Sequence, residues 1–215
     1  MIRPVSLLFS ATLVMGAGLL GCSSDSGGGS TPKEVLDVVP RSNDVSGWAV
    51  DPNNPTTAGV VAKTATTEVA VEGLIDGAAA DFFADPYTPT DFAWQNYANS
   101  TIADAPDGAR VTLYIIALPS AEQASGLYAS LRSASLYNRK AGTPEDWQDP
   151  TSPLVGSGSR IQDTGDTWWI NFHKGNFYVE VNLFPSAGPA PDFTPGNANT
   201  KAAAFTFAQA VAGKI

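Results

Sequence analysis

The chain has one cysteine, Cys22, and one histidine, His173, in 215 residues. A lone cysteine excludes an internal disulfide and a thiolate zinc site. If it is lipidated it is no nucleophile either. A lone histidine excludes paired-histidine metal motifs, and any histidine-dependent mechanism must use His173. Basic residues are also scarce, 12 Lys and Arg against 21 Asp and Glu, for a formal charge of −9. That balance argues against nucleic acid and against polybasic attachment to anionic lipid. No phosphate-cradling glycine loop with a lysine, dinucleotide fingerprint, calcium loop or nucleophile elbow occurs. Gly156-Ser157-Gly158-Ser159 comes nearest to an elbow and has the wrong spacing. No cofactor or metal is implied.

Long apolar runs are missing too, except at the start. Arg3 supplies a short positive region, Val5 to Leu20 an apolar stretch, and Leu19-Leu20-Gly21-Cys22 closes it. A run this short ending in small residues reads as a secretory signal, not a membrane span. Leu-Leu-Gly-Cys resembles the lipobox of bacterial lipoproteins, which implies cleavage before Cys22 and lipid on its sulfur and amino group. Residues 1–21 carry Arg3 and no acid, so their removal moves the charge from −9 to −10. Residues 22–32 then form the lipidated cysteine and a Gly/Ser tether, SSDSGGGSTP after Cys22. Residues 33–215 are expected to be one globular domain, large enough for its own core. The implied address is the cell envelope, with the membrane as a partner through Cys22; Ser23 matches an outer-membrane sorting pattern.

The most legible stretch is Thr167 to Phe184, TWWINFHKGNFYVEVNLF. Gly175-Asn176 is a Gly-first two-residue hairpin loop of the II′ kind. Closure there pairs Lys174 with Phe177, Phe172 with Val179, Ile170 with Val181 and Trp168 with Leu183. That face is apolar beyond the tip. The other carries Trp169, Asn171, His173, Tyr178, Glu180 and Asn182, and a one-residue slip would exchange the two. The polar face is expected to be wet, so substitutions at Asn171 or Asn182 should cost little.

Elsewhere Val71, Leu74, Ile75, Ala78 and Phe82 share a helical face and predict a helix over 67–83, capped by Thr67. Gly73 and Gly77 weaken it by about 1 kcal/mol each, which close approach of a neighbouring backbone would explain. Phe92 to Ala98 and Val111 to Leu118 read as strands, the second apolar on both faces and hence central. Ser120 and Gln123 form a capping box for a second helix with Ala121, Ala124, Leu127, Tyr128 and Leu131 inward. Residues 138–155 and 188–199 read as loops, 157–163 as a strand turned by Thr164-Gly165. A last helix over 200–213 turns Ala204, Phe207, Ala208 and Val211 inward. The sum is an α+β fold: a largely antiparallel sheet of about five strands with three helices packed on it.

Gly47-Trp48, Leu74-Ile75-Asp76-Gly77-Ala78-Ala79, Ala124-Ser125-Gly126-Leu127-Tyr128 and His173-Lys174-Gly175-Asn176-Phe177-Tyr178-Val179 occur in that order. Their order resembles an uncharacterised bacterial family, domain of unknown function 6599, over nearly the whole domain. Asp85-Pro86-Tyr87 departs from the Gly-Phe such members often carry. The resemblance implies no activity and no catalytic residues.

Several residues compete for a functional role. His173 opposite Tyr178, with Glu180 diagonally behind, has the composition of an acid–base cluster and would serve a hydrolase. A solvated hairpin face has the same pattern. Asp76 and Asp81 sit about 140° apart on their helix and do not converge. Trp94, Tyr97, Trp168 and Trp169 are aromatic enough for a sugar- or peptide-stacking platform. Trp168 belongs to the apolar face, which leaves Trp169 as the ligand-binding candidate. With no reactive constellation, a non-catalytic binding or scaffolding module of the envelope is expected, its partner an envelope protein or a small ligand. A small-ligand binder and a hydrolase are the alternatives.

Overall fold

The computed structural model describes residues 33–51, 62–75, 79–102, 108–132, 147–163, 167–185 and 198–215. The signal sequence, Cys22, the tether, Asp76, Gly77, Ala78, Thr164-Gly165 and much of the expected loops at 138–155 and 188–199 lie outside them. In chain order the elements are α1 (Val35–Val38), β1 (Ala49–Val50), β2 (Lys63–Ala65), α2 (Glu68–Ile75), α3 (Ala79–Phe82) and β3 (Asp91–Asn99). There follow β4 (Ala109–Ala117), α4 (Ala121–Leu131), β5 (Gly158–Asp163), β6 (Trp168–Lys174), β7 (Phe177–Pro185) and α5 (Ala198–Lys214).

The strands form one antiparallel sheet in the order β1-β3-β4-β7-β6-β5, with β2 beside β1 on the same edge of β3. The hairpin register is the one the Gly175-Asn176 turn dictates: Phe172 faces Val179, Ile170 faces Val181 and Trp168 faces Leu183. Gly175 takes φ +53°, the left-handed first position a II′ turn requires. The doubly apolar strand, β4, lies between β3 and β7.

Strands and helices outnumber the expectation among the described residues. The two extra strands have two and three residues, too few to show a period. The predicted 67–83 helix appears as α2 and α3, and the one-turn α1 precedes them. Thr67 Oγ1 accepts from Ala70 N at 3.3 Å, the predicted cap. A Cβ on Gly73 would meet nothing within 4 Å, so close packing does not explain that glycine. Ser120 accepts from Gln123 N, but Gln123 does not complete the box. Its Oε1 instead accepts from Thr88 N at 3.3 Å. Ala121, expected inward, is exposed.

Both sheet faces are covered. Over one lie α1 and α5, with Trp48, Tyr97, Leu113, Ile115, Phe172, Val179 and Val181 in a shared core. The inward stripe of α5 is as predicted: Ala204, Phe207, Ala208 and Val211 are buried. Phe207 packs on Trp48 and Tyr97 at 5.4 and 4.9 Å between ring centroids. Over the other face lie α2, α3 and α4, where Phe82 meets Phe92 and Tyr178, both at 6.3 Å.

Candidate functional site

Register partners share a face of the sheet, so the second face can be laid out in rows across the strands. The first row, Ala65–Phe92–Ile116–Tyr178–His173–Gly158, includes the Phe92 and Tyr178 on which Phe82 packs. The second runs Lys63–Trp94–Tyr114–Glu180–Asn171–Arg160 and the third Asn96–Thr112–Asn182–Trp169–Gln162. Neither of the last two rows contains an aliphatic side chain.

The hairpin's polar face is therefore not wet. Arg160, Asn171, Glu180 and Tyr178 are 0 % exposed, Gln162 1 % and Asn182 7 %. The ground for expecting cheap substitution at Asn171 and Asn182, a wet face, is therefore gone. Alternation of polar residues reports which face they share, and α4 and Trp147 help to cover that face. Trp169, the ligand candidate, is buried in the second core, within the third row between Asn182 and Gln162.

His173 ends its row beside Gly158, where a Cβ would come within 2.8 Å of the imidazole Nε2. Glycine lets the ring lie across β5, against Tyr128 of α4 at 5.1 Å. Loss of hydration pushes its pKa below the ordinary value of 6.5. No hydrogen bond or ion pair joins it to Glu180. Glu180 Oε1 instead accepts from the Tyr178 hydroxyl at 2.7 Å. Burial, and then the charge of Glu180, raise the Tyr178 pKa well above 10, while the nearby Arg160 pulls it down.

Arg160, on a short strand without a motif, has little in the sequence to single it out. Its guanidinium lies between the rings of Tyr128 and Trp147, 4.5 and 4.9 Å from their centroids. Nη1 donates to the Tyr128 carbonyl at 2.6 Å. The Tyr128 hydroxyl donates to Asp149 at 3.2 Å, and Arg132 pairs with the other oxygen of Asp149 at 3.0 Å. Desolvation, with Asp149 adding to it, raises the Tyr128 pKa. Extending the hairpin register one strand back to β5 would have placed Arg160 opposite Asn171 and Gln162 opposite Trp169. That was the available signal.

The four aromatics proposed as a platform separate. Tyr97 and Trp168 belong to the first core, and Trp168 Nε1 donates to Thr200 at 2.9 Å. Trp94 and Trp169 share the second face but stand on β3 and β6, with two strands between. Trp94 is half-buried, with Lys63 Nζ 4.9 Å from its ring centre and its own Nε1 donating to Asn96. Asp81 has one buried carboxylate oxygen without a hydrogen bond, and desolvation raises its pKa.

Among the described residues no group of three or more His, Cys, Asp or Glu could hold a metal, and no helix is long and apolar enough to cross a membrane. A hollow of about 240 Å³ lies between Leu154, Gly156, Lys174, Gln209 and Gly213. Lys174 there already donates to the Ala212 carbonyl near the end of α5. Comparison with protein-family models, with curated proteins and with solved structures finds no match for this chain.

Proposed function

We propose that this chain is a lipid-anchored protein of the bacterial cell envelope whose domain is a non-catalytic binding or scaffolding module. The observation that carries the reading is the chemistry of the second and third rows. They hold groups that recognise, a guanidinium, carboxamides and aromatic rings, around Glu180, whose Oε1 accepts from Tyr178. The lipobox-like Leu19-Leu20-Gly21-Cys22 and the tether behind it support the anchor. The motif order keeps the resemblance to domain of unknown function 6599 as part of the proposal. Outer-membrane residence rests on Ser23 alone.

A small-ligand reading is favoured over a protein scaffold by one observation: the polar groups are buried rather than displayed. The hydrolase reading has less behind it, because His173 leans on Tyr128 and makes no bond to Glu180.

Replacing Cys22 by serine tests the anchor. The variant should leave the membrane fraction for the soluble one, and should not incorporate labelled palmitate. A variant that stays in the membrane fraction like the parent would remove Cys22 as the anchor.

A further inference from the structure

Resting on the binding-module reading and deepening it, we propose that the buried end of the polar rows is a site for a neutral polyhydroxylated ligand, a sugar. The argument starts from side-chain atoms that make no hydrogen bond although they are shut off from solvent. Donors in this state are Arg160 Nε and Nη2, Trp147 Nε1, Gln162 Nε2 and Asn171 Nδ2. Acceptors are Gln162 Oε1, Asn171 Oδ1 and Asn182 Oδ1. Native interiors rarely leave such groups unmet, and each one costs about 1–3 kcal/mol. Here they gather on neighbouring strands of one sheet face: Asn171 beside Arg160, and Gln162 two residues along from Arg160.

The mixture of donors and acceptors suits a ligand whose groups do both. The guanidinium of Arg160, which also lies close to the Tyr178 hydroxyl, has the charge that would suit a carboxylate. A carboxylate, however, only accepts, and would leave the three carboxamide oxygens unmet. A metal ion would answer the oxygens and repel Arg160. A hydroxyl both donates and accepts, so a run of hydroxyls answers both sets at once. Aromatic rings complete the match. Trp169 stands between Asn182 and Gln162 in the third row, and Trp147 lies against Arg160, so apolar rings flank the same polar groups.

The test is titration of the purified domain with glucose, galactose, N-acetylglucosamine and cellobiose, beside acetate and glucuronate. Tryptophan fluorescence and calorimetry supply the readouts. At least one neutral sugar should bind saturably, and acetate should not. Gln162→Leu, with its near-UV circular dichroism retained, should weaken that binding at least about tenfold, the loss of one good hydrogen bond. Four neutral sugars without binding would overturn the proposal, whatever the variant does. So would acetate binding in their place, which would make Arg160 an anion site, or sugar binding untouched by Gln162→Leu. Failure here is separable from failure of the anchor: a domain that ignores every sugar while Cys22→Ser still releases it from the membrane loses only the ligand.

Discussion

At the scale of single residues, desolvation sets one histidine against two acids. His173 is half-buried with its pKa held below 6.5. The unfolded chain therefore takes up a proton that the folded one resists, and stability is lost as pH falls through 6.5. Asp81 and Asp91 have the opposite sign. Their raised pKa values, due first to desolvation, mean that acidification toward 3.8 favours the folded form. A difference measurement separates the two. Unfolding of wild type and of His173→Gln, followed from pH 8 to pH 5, should show a decline in the wild type that the variant lacks. Parallel curves would mean that His173 titrates as freely in the folded state as in the unfolded one.

At the scale of elements, the β6–β7 hairpin carries the first core. Phe172 and Val179 face each other and are fully buried, with α5 packed on both strands. Alanine at Phe172 should cost about 3–5 kcal/mol in chemical denaturation, as large-to-small core changes do. A cost below about 1 kcal/mol would place that face outside the core. This hairpin was legible in the sequence because a two-residue turn fixes the register and strict alternation fixes the faces. The last helix was legible for a similar reason, since its buried residues recur at helical spacing. The short edge strands were not, because two or three residues carry no pattern. Neither was the burial of Asn171, Glu180 and Asn182. Alternating polarity assigns those residues to one face without saying what covers it, and the cover comes from α4, Trp147 and Tyr128, remote in sequence. The burial of Arg160 was not legible either, because a charged residue in a short strand ordinarily points to water.

At the scale of the whole domain, the sheet has two unlike faces. The α1/α5 face is an apolar core of the usual kind. The α2–α4 face is apolar only in its first row, beneath Phe82, and polar beyond it. Side-chain atoms of Asn171, Gln162 and Asn182 that are buried there without a hydrogen bond lower stability, and the proposed site gives a reason to retain them. The measurement that tests this most directly is the unfolding free energy of Asn171→Leu, from urea denaturation of the ligand-free domain. Asn171 is 0 % exposed and neither side-chain amide atom makes a hydrogen bond. Leucine keeps the branched shape and removes the unmet groups, so the variant should be at least as stable as wild type, by up to about 1–3 kcal/mol. A loss of that size would show that Asn171 serves the fold, and would contradict the assignment of these rows to binding.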